Sequence, residues 1–299
     1  MTNKKNVSLA LGSGGARGMA HIGVIRWLEE HDYQIKVIAG SSIGALIGGI
    51  YAAGELDTYT KWVSALSKRD VLRLLDFAYN RAGLFSGDRL MKKLKDMLGE
   101  ARIEDLPVAF TAVATDLDNR REVWITNGPL FDAIRASIAI PSVFTPVKYH
   151  GRILVDGGVL NPIPIAPTLR VISDMTIAVS LSGREVAQQE LFPTQKEVQE
   201  KPGNYQRAIN NFIDGIQERF GMNEDEDETN FLDVMTRSIE SMQNSIARFK
   251  LAAYNPNYLL EVPANACGMF DFYRAEEMIE LGYNSVSYTH LTLPTILLV

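Results

Sequence analysis

The chain has 299 residues, 46% of them hydrophobic, and a formal net charge of −6 at pH 7. That is enough apolar material for one large domain or two smaller ones, while the acidic balance argues against nucleic acid and against adhesion to anionic membrane by overall charge. A single cysteine, Cys267, excludes an intrachain disulfide and fits a reducing compartment.

From the N-terminus, the polar start Met1 to Asn6 leads straight into an apolar run with no signal-peptide pattern, and no apolar run is long enough to span a bilayer. The expectation is a cytoplasmic protein. Peripheral contact at the inner membrane surface would then rely on apolar groups around a cleft. Strands are expected near Val7–Leu11, Val37–Ala39, Val108–Ala114, Glu122–Thr126, Arg152–Val155 and Met175–Leu181, with helices between the first several. Such alternation predicts a three-layer α/β/α fold with a largely parallel central sheet.

From about residue 188 the β-branched runs give way to helical periodicity, as in Ile209, Phe212, Ile213, Ile216 and Phe220. This predicts a helical insertion over about 188–255 whose stripe serves as core cover rather than membrane anchor. A strand at Tyr258–Val262 and a helix at Arg274–Gly282 return the chain to the sheet, giving a single domain over 5–285. Its core covers about 7–185, and the returning strand and helix about 258–283. Residues 286–299 back-translate into a common transposon sequencing adapter and are set aside as a non-native tail.

Chemistry concentrates in two glycine-punctuated loops. Gly12-Ser13-Gly14-Gly15-Ala16-Arg17-Gly18 and Gly40-Ser41-Ser42-Ile43-Gly44 each follow an expected strand and precede a helix. The second loop reads Gly-x-Ser-x-Gly: a serine lifted out of a sheet on a strained turn needs neighbours without a Cβ. A helix starting at Ile43 would aim its N-terminal dipole at the Ser42 oxygen. Alternatively the same five residues form only a tight turn. In the first loop, consecutive N–H groups at Ser13, Gly14 and Gly15 can hold a carbonyl oxygen as it becomes an oxyanion, with Arg17 pinning the loop or adding charge. A phosphate cradle is the weaker alternative, because Arg17 stands where the third glycine of a dinucleotide fingerprint belongs and no acidic residue ends the second strand.

A base for the serine is not obvious among the four histidines. His21 lies on the helix after the glycine loop, His31 in a polar helix end, His150 beside a turn glycine and His290 in the discounted tail. The better candidate is Asp156, where an apolar strand ends in Asp156-Gly157-Gly158, although Asp-Gly is also an ordinary turn pair. The run Glu224–Glu228 lacks the alternating ligands and central glycine of a calcium loop and reads as solvated surface. No metal or other cofactor is expected.

These blocks resemble the signatures of the patatin-like phospholipase family: Gly14-Gly15-Ala16-Arg17-Gly18, Gly40-Ser41-Ser42-Ile43-Gly44 and Asp156-Gly157-Gly158. Ala136-Ser137-Ile138-Ala139-Ile140-Pro141 and Asn161-Pro162-Ile163-Pro164 resemble the stretches flanking the family's aspartate. Within the family the likeness is to bacterial proteins related to neuropathy-target-esterase catalytic domains. It covers Val7 to Leu181 and resumes near Tyr258 to Tyr283. The resemblance implies a Ser42–Asp156 dyad without histidine, an oxyanion hole in the first loop, and a lipid or fatty-acyl ester as substrate. Serine at position 13 departs from the glycine that many members carry.

The mechanism then expected is attack by Ser42 on an ester carbonyl, with Asp156 taking the hydroxyl proton and later activating water. Two other readings stay open: a non-catalytic regulatory or adaptor protein that keeps the fold, and a nucleotide-binding protein that uses the first loop.

Overall fold

A computed structural model describes residues 4–76, 78, 83–187, 191 and 231–287. The chain divides into two compact units, one formed by Met1–Val186 with Gln243–Val299 and the other by Ala187–Met242.

The first unit is built on a mixed sheet whose backbone is β1 (Lys5–Leu11), β2 (Tyr33–Ser41), β4 (Ala109–Asp116), β9 (Met175–Gly183) and β10 (Tyr258–Pro263). These five run parallel in the order β10-β9-β1-β2-β4. Their sequences are nearly continuous apolar runs because helices cover both faces; in β1 every residue from Val7 to Leu11 is buried. The crossover from β1 to β2 is α1 (Ala20–Glu30), and β2 feeds α2 (Ile43–Ala52). Sequence Ile43-Gly-Ala-Leu-Ile-Gly-Gly-Ile-Tyr-Ala has no polar face, which matches a helix buried nearly all round.

Between α2 and β4 lie α3 (Leu56–Ser64), α4 (Lys68–Leu74), a three-residue β3 (Gly83–Phe85) and α5 (Asp88–Leu98). α4 starts at a capping box in which Ser67 and Asp70 satisfy each other's backbone N–H. Antiparallel strands complete the sheet: β5 (Arg121–Ile125) on β4, β8 (Arg152–Asp156) on β4, and β7 (Val147–Tyr149) on β8. α6 (Leu130–Ser137) precedes β6 (Ser142–Phe144), which pairs with β3 in a separate ribbon. A one-turn α7 (Ile165–Thr168) leads towards β9. β3, β6 and β7 were not expected from sequence.

Of the expected insertion, the described part is helical: α8 spans Phe231–Tyr254. The stripe from Ile209 to Phe220 and the acidic run Glu224–Glu228 lie outside the described residues. The last helix, α9 (Ala275–Ser287), packs on α1 and buries Val286 completely, so the first two residues of the stretch set aside as foreign continue this helix. Residues 288–299 and His290 lie outside the described residues.

Sheet register is what assembles the site. On one edge of β4, β5 pairs with Ala112 to Asp116. The opposite edge is shared: β2 arrives parallel and ends with Ser41 beside Val113, while β8 arrives antiparallel and ends with Asp156 beside Ala114. The carboxyl ends of β2 and β8 therefore meet head to head across two successive residues of one strand.

Candidate active site

Ser42 stands at the turn between β2 and α2 with φ 56° and ψ −125°, a left-handed region that costs a non-glycine residue of order 1–3 kcal/mol. Three things hold it there. Its N–H donates to Ser137 Oγ at 3.0 Å, and the Ser137 hydroxyl donates to the Val113 carbonyl at 2.6 Å. Its carbonyl accepts the N–H groups of Ala45 and Leu46, starting α2. Gly44 lies so close beneath β1 that a Cβ there would overlap the Leu11 carbonyl. Ser42 is consequently the N-cap of α2, with its side chain at the positive end of the helix dipole.

Asp156 ends β8 and is 2% exposed. Its N–H donates to the Ala139 carbonyl at 2.9 Å, and its Oδ1 accepts the Gly158 N–H at 2.7 Å. Oδ2 is buried without a hydrogen bond of ordinary geometry. Burial raises the Asp156 carboxyl to about 7, against the opposing influence of the Ser42 hydroxyl and the Gly158 N–H. The hydroxyl thus lies close enough to the carboxylate to oppose that rise without a hydrogen bond of ordinary geometry, as is common for catalytic groups without substrate.

The glycine loop turns two peptide N–H groups loose. Those of Gly12, Ser13 and Ala16 are taken by the carbonyls of Val179, Pro162 and Met269 at 3.0, 2.9 and 2.9 Å. Gly14 and Gly15 N–H have no acceptor among the described residues. Gly15 sits at φ +59°, and a Cβ there would collide with Met269. Ser13, included above as a donor, is corrected on this ground: its N–H is engaged, and its side chain packs against Gly158 instead. Arg17 grips the backbone around the loop. Its Nε donates to the Gly14 carbonyl at 3.2 Å and its Nη1 to the Ala264 carbonyl. Because the Gly14 carbonyl and the Gly15 N–H belong to one planar peptide, fixing the first aims the second the opposite way.

The three described histidines are engaged elsewhere. His21 is fully buried and donates Nε2–H to the Gly12 carbonyl at 2.9 Å, while Nδ1 has no partner; burial lowers it to about 4. His31 stacks on Trp27 and donates to its carbonyl. His150 occupies a positive-φ turn before Gly151. Cys267 is buried, its thiol raised to about 11 mainly by desolvation. Among the described residues, no group of three or more His, Cys, Asp or Glu is placed to hold a metal ion.

Sequence reasoning missed Ser137, Asn161 and Glu122. Asn161 accepts the Ser41 hydroxyl on its carbonyl at 2.6 Å and donates its side-chain amide to Glu122, which also holds Trp124 and Lys250. Their signal was present in the blocks around Ser137 and Asn161, but hydrogen-bond partners that the fold brings in from 24 to 128 residues away cannot be read from one sequence.

Ser42 and Gly15 open into an almost wholly apolar pocket walled by Leu46, Trp62, Val71, Leu75, Ile140 and Phe270. No described helix is long and apolar enough to cross a membrane.

A family model described as patatin-like phospholipase matches residues 9–169. The chain is 39% identical to an uncharacterised NTE family protein of Mycobacterium bovis, over 94% of this chain and 90% of that one. It is 34% identical to a neuropathy target esterase of Drosophila grimshawi, over 53% of this chain and 11% of that much longer protein. Among solved structures, VipD from Legionella pneumophila aligns with 95% of this chain and 66% of its own at 12% identity and a TM-score of 0.46.

Proposed function

The chain belongs to the patatin-like phospholipase family, and on that premise we propose that it is a serine-dependent lipid acyl hydrolase, of phospholipase A or lysophospholipase type. The observation that carries this reading is the meeting of Ser42, a buried carboxyl raised to about 7, and two unclaimed N–H groups at one end of an apolar pocket.

In the proposed reaction the acyl chain lies in the pocket and the ester carbonyl sits over Ser42. Asp156 takes the hydroxyl proton as Ser42 Oγ attacks the carbonyl carbon, and desolvation makes that carboxylate a stronger base than an exposed one. Charge on the former carbonyl oxygen falls to the Gly14 and Gly15 N–H groups, each worth roughly 3–4 kcal/mol when preorganised. Collapse expels the alcohol portion of the lipid, which takes the proton from Asp156. Asp156 then draws a proton from water as it attacks the acyl-enzyme, the fatty acid leaves, and the proton returns to Ser42. Each proton taken is given back, so the cycle closes without another titrating side chain.

The test is treatment with a serine-reactive phosphonate, located by mass spectrometry, alongside hydrolysis of a lysophospholipid and a short-chain aryl ester. Expected are labelling at Ser42 and loss of both activities in Ser42→Ala and Asp156→Asn. A folded wild type that neither labels nor hydrolyses would move the adaptor reading ahead.

A further inference from the structure

Charge is distributed unevenly along this acidic chain. Residues 61–95 hold nine Lys or Arg and three Asp, a local excess of positive charge in a protein whose total is −6. The same stretch supplies Trp62, Val63, Leu66, Val71, Leu74 and Leu75 to the pocket wall.

α4 shows how the two properties combine. Val71 and Leu74 turn inward to the pocket, and Arg69, Leu72 and Arg73 are exposed on the other side. Arg69 makes no ion pair among the described residues. Arg73 is 79% exposed and, among the described residues, its side chain pairs with its helix neighbour Asp70, at 3.6 Å. Arg89, at the start of α5, donates to the Arg73 carbonyl at 2.6 Å, so a third exposed cation stands at the end of the same helix. Lys68 lies 4.7 Å over the Tyr273 ring, and the adjoining Phe272 lines the pocket, which places the helix against the pocket wall. Leu72, 39% exposed, projects among these cations.

We infer that this face, Arg69, Leu72, Arg73 and Arg89, docks the protein on an anionic phospholipid surface with the pocket mouth turned to the lipid. The inference deepens the lipid-hydrolase reading and rests on it for the identity of the surface. Charge complementarity selects the occupant: clustered cations next to an exposed leucine fit phosphate-bearing headgroups over an apolar layer, each Lys or Arg near such a surface adding about fivefold in affinity. Net charge taken over the whole chain hides this, because the compensating acidic residues lie outside the segment.

The experiment is co-sedimentation with vesicles of phosphatidylcholine alone and of phosphatidylcholine mixed with phosphatidylglycerol. The protein used is the full chain carrying Ser42→Ala, so that the vesicles stay intact. Expected is binding to the anionic vesicles, weakened by salt and absent with the neutral ones. Adding Arg69→Gln and Arg73→Gln is expected to weaken it about thirtyfold. Neutralising Lys4 and Lys5, exposed at the far end of β1, removes the same charge and is expected to change nothing. Equal binding to both vesicle types, or equal loss with the Lys4/Lys5 variant, overturns the docking surface. Hydrolysis of a soluble aryl ester by the Arg69/Arg73 variant with Ser42 intact separates the two readings. Full turnover with lost vesicle binding supports both; vesicle binding by a wild type that never hydrolyses removes the hydrolase reading and leaves the surface standing.

Discussion

Ser41 donates its hydroxyl to the Asn161 carbonyl at 2.6 Å, tying the strand that presents Ser42 to the loop that follows Asp156. Both partners are fully buried, and Gly157 approaches Ser41 so closely that a Cβ there would press on its Oγ. The bond sets the spacing between nucleophile and base from behind. Ser41→Ala is expected to leave a buried carbonyl unpaired, costing about 1–3 kcal/mol of stability. It should also lower kcat by about tenfold with little change in KM, because a small misplacement of reacting groups is felt in rate. Denaturant unfolding and steady-state kinetics check the two halves.

The raised Asp156 carboxyl sets a pH dependence. The base form is required, so kcat/KM is expected to rise with pH through a single ionisation near 7 and then level off. A profile controlled by an ordinary carboxylate, flat above about pH 5, would contradict it.

Stability should follow the opposite course at the same residue. Asp156 is raised from 3.8 to about 7 on folding, so between those values the native state keeps a proton that the unfolded chain has released. Its stabilising effect is complete below the unfolded value and is lost as pH rises towards 7, by up to about 4 kcal/mol. His21 acts on the other flank: lowered from 6.5 to about 4, it removes up to about 3 kcal/mol as pH falls through that window, because the unfolded chain takes up a proton the native state refuses. Relative to wild type, Asp156→Asn should gain stability as pH rises from about 4 to 7, and His21→Gln should gain it as pH falls from about 6.5 to 4. Urea titrations at several pH values read both.

Arg17→Met removes the grip on the Gly14 carbonyl and frees the Gly14–Gly15 peptide to rotate. The expected result is a fall of about a hundredfold in kcat, the size of one lost oxyanion donor, with KM nearly unchanged. A rise in KM alone would assign Arg17 to substrate binding instead.

Ser42 is held in a backbone conformation that glycine adopts freely. Ser42→Gly is therefore expected to abolish hydrolysis while raising stability by about 1–2 kcal/mol, visible as a higher Tm.

Much of this was legible in the sequence because parallel strands buried on both faces leave unbroken apolar runs: Val7–Leu11, Val37–Ala39 and Met175–Leu181 each fall within an observed strand. β3, β6 and β7 left no such trace, since three residues are too few to show a period, and Ser142 reaches its place through a positive φ that its side chain does not announce. At the site, the positions of Ser42 and Asp156 are marked by the glycines their turns require. Which N–H groups stay available is not marked: that Ser13 is engaged and Gly14 is not depends on Pro162, a partner fixed only by the fold. The basic stretch 61–95 was visible but averaged away in the total charge.

The groups assigned to bond breaking come from strand ends, at 12–17, 41–42 and 156–158, whereas much of the pocket wall comes from α3 to α5 and residues 269–272. Side chains on that wall can be exchanged one at a time with no loss of the carboxylate, the hydroxyl or the aimed peptide. Divergence within such a scaffold would run through the lining while the reactor stays unchanged, so two chains sharing every strand-end motif can prefer quite different acyl groups.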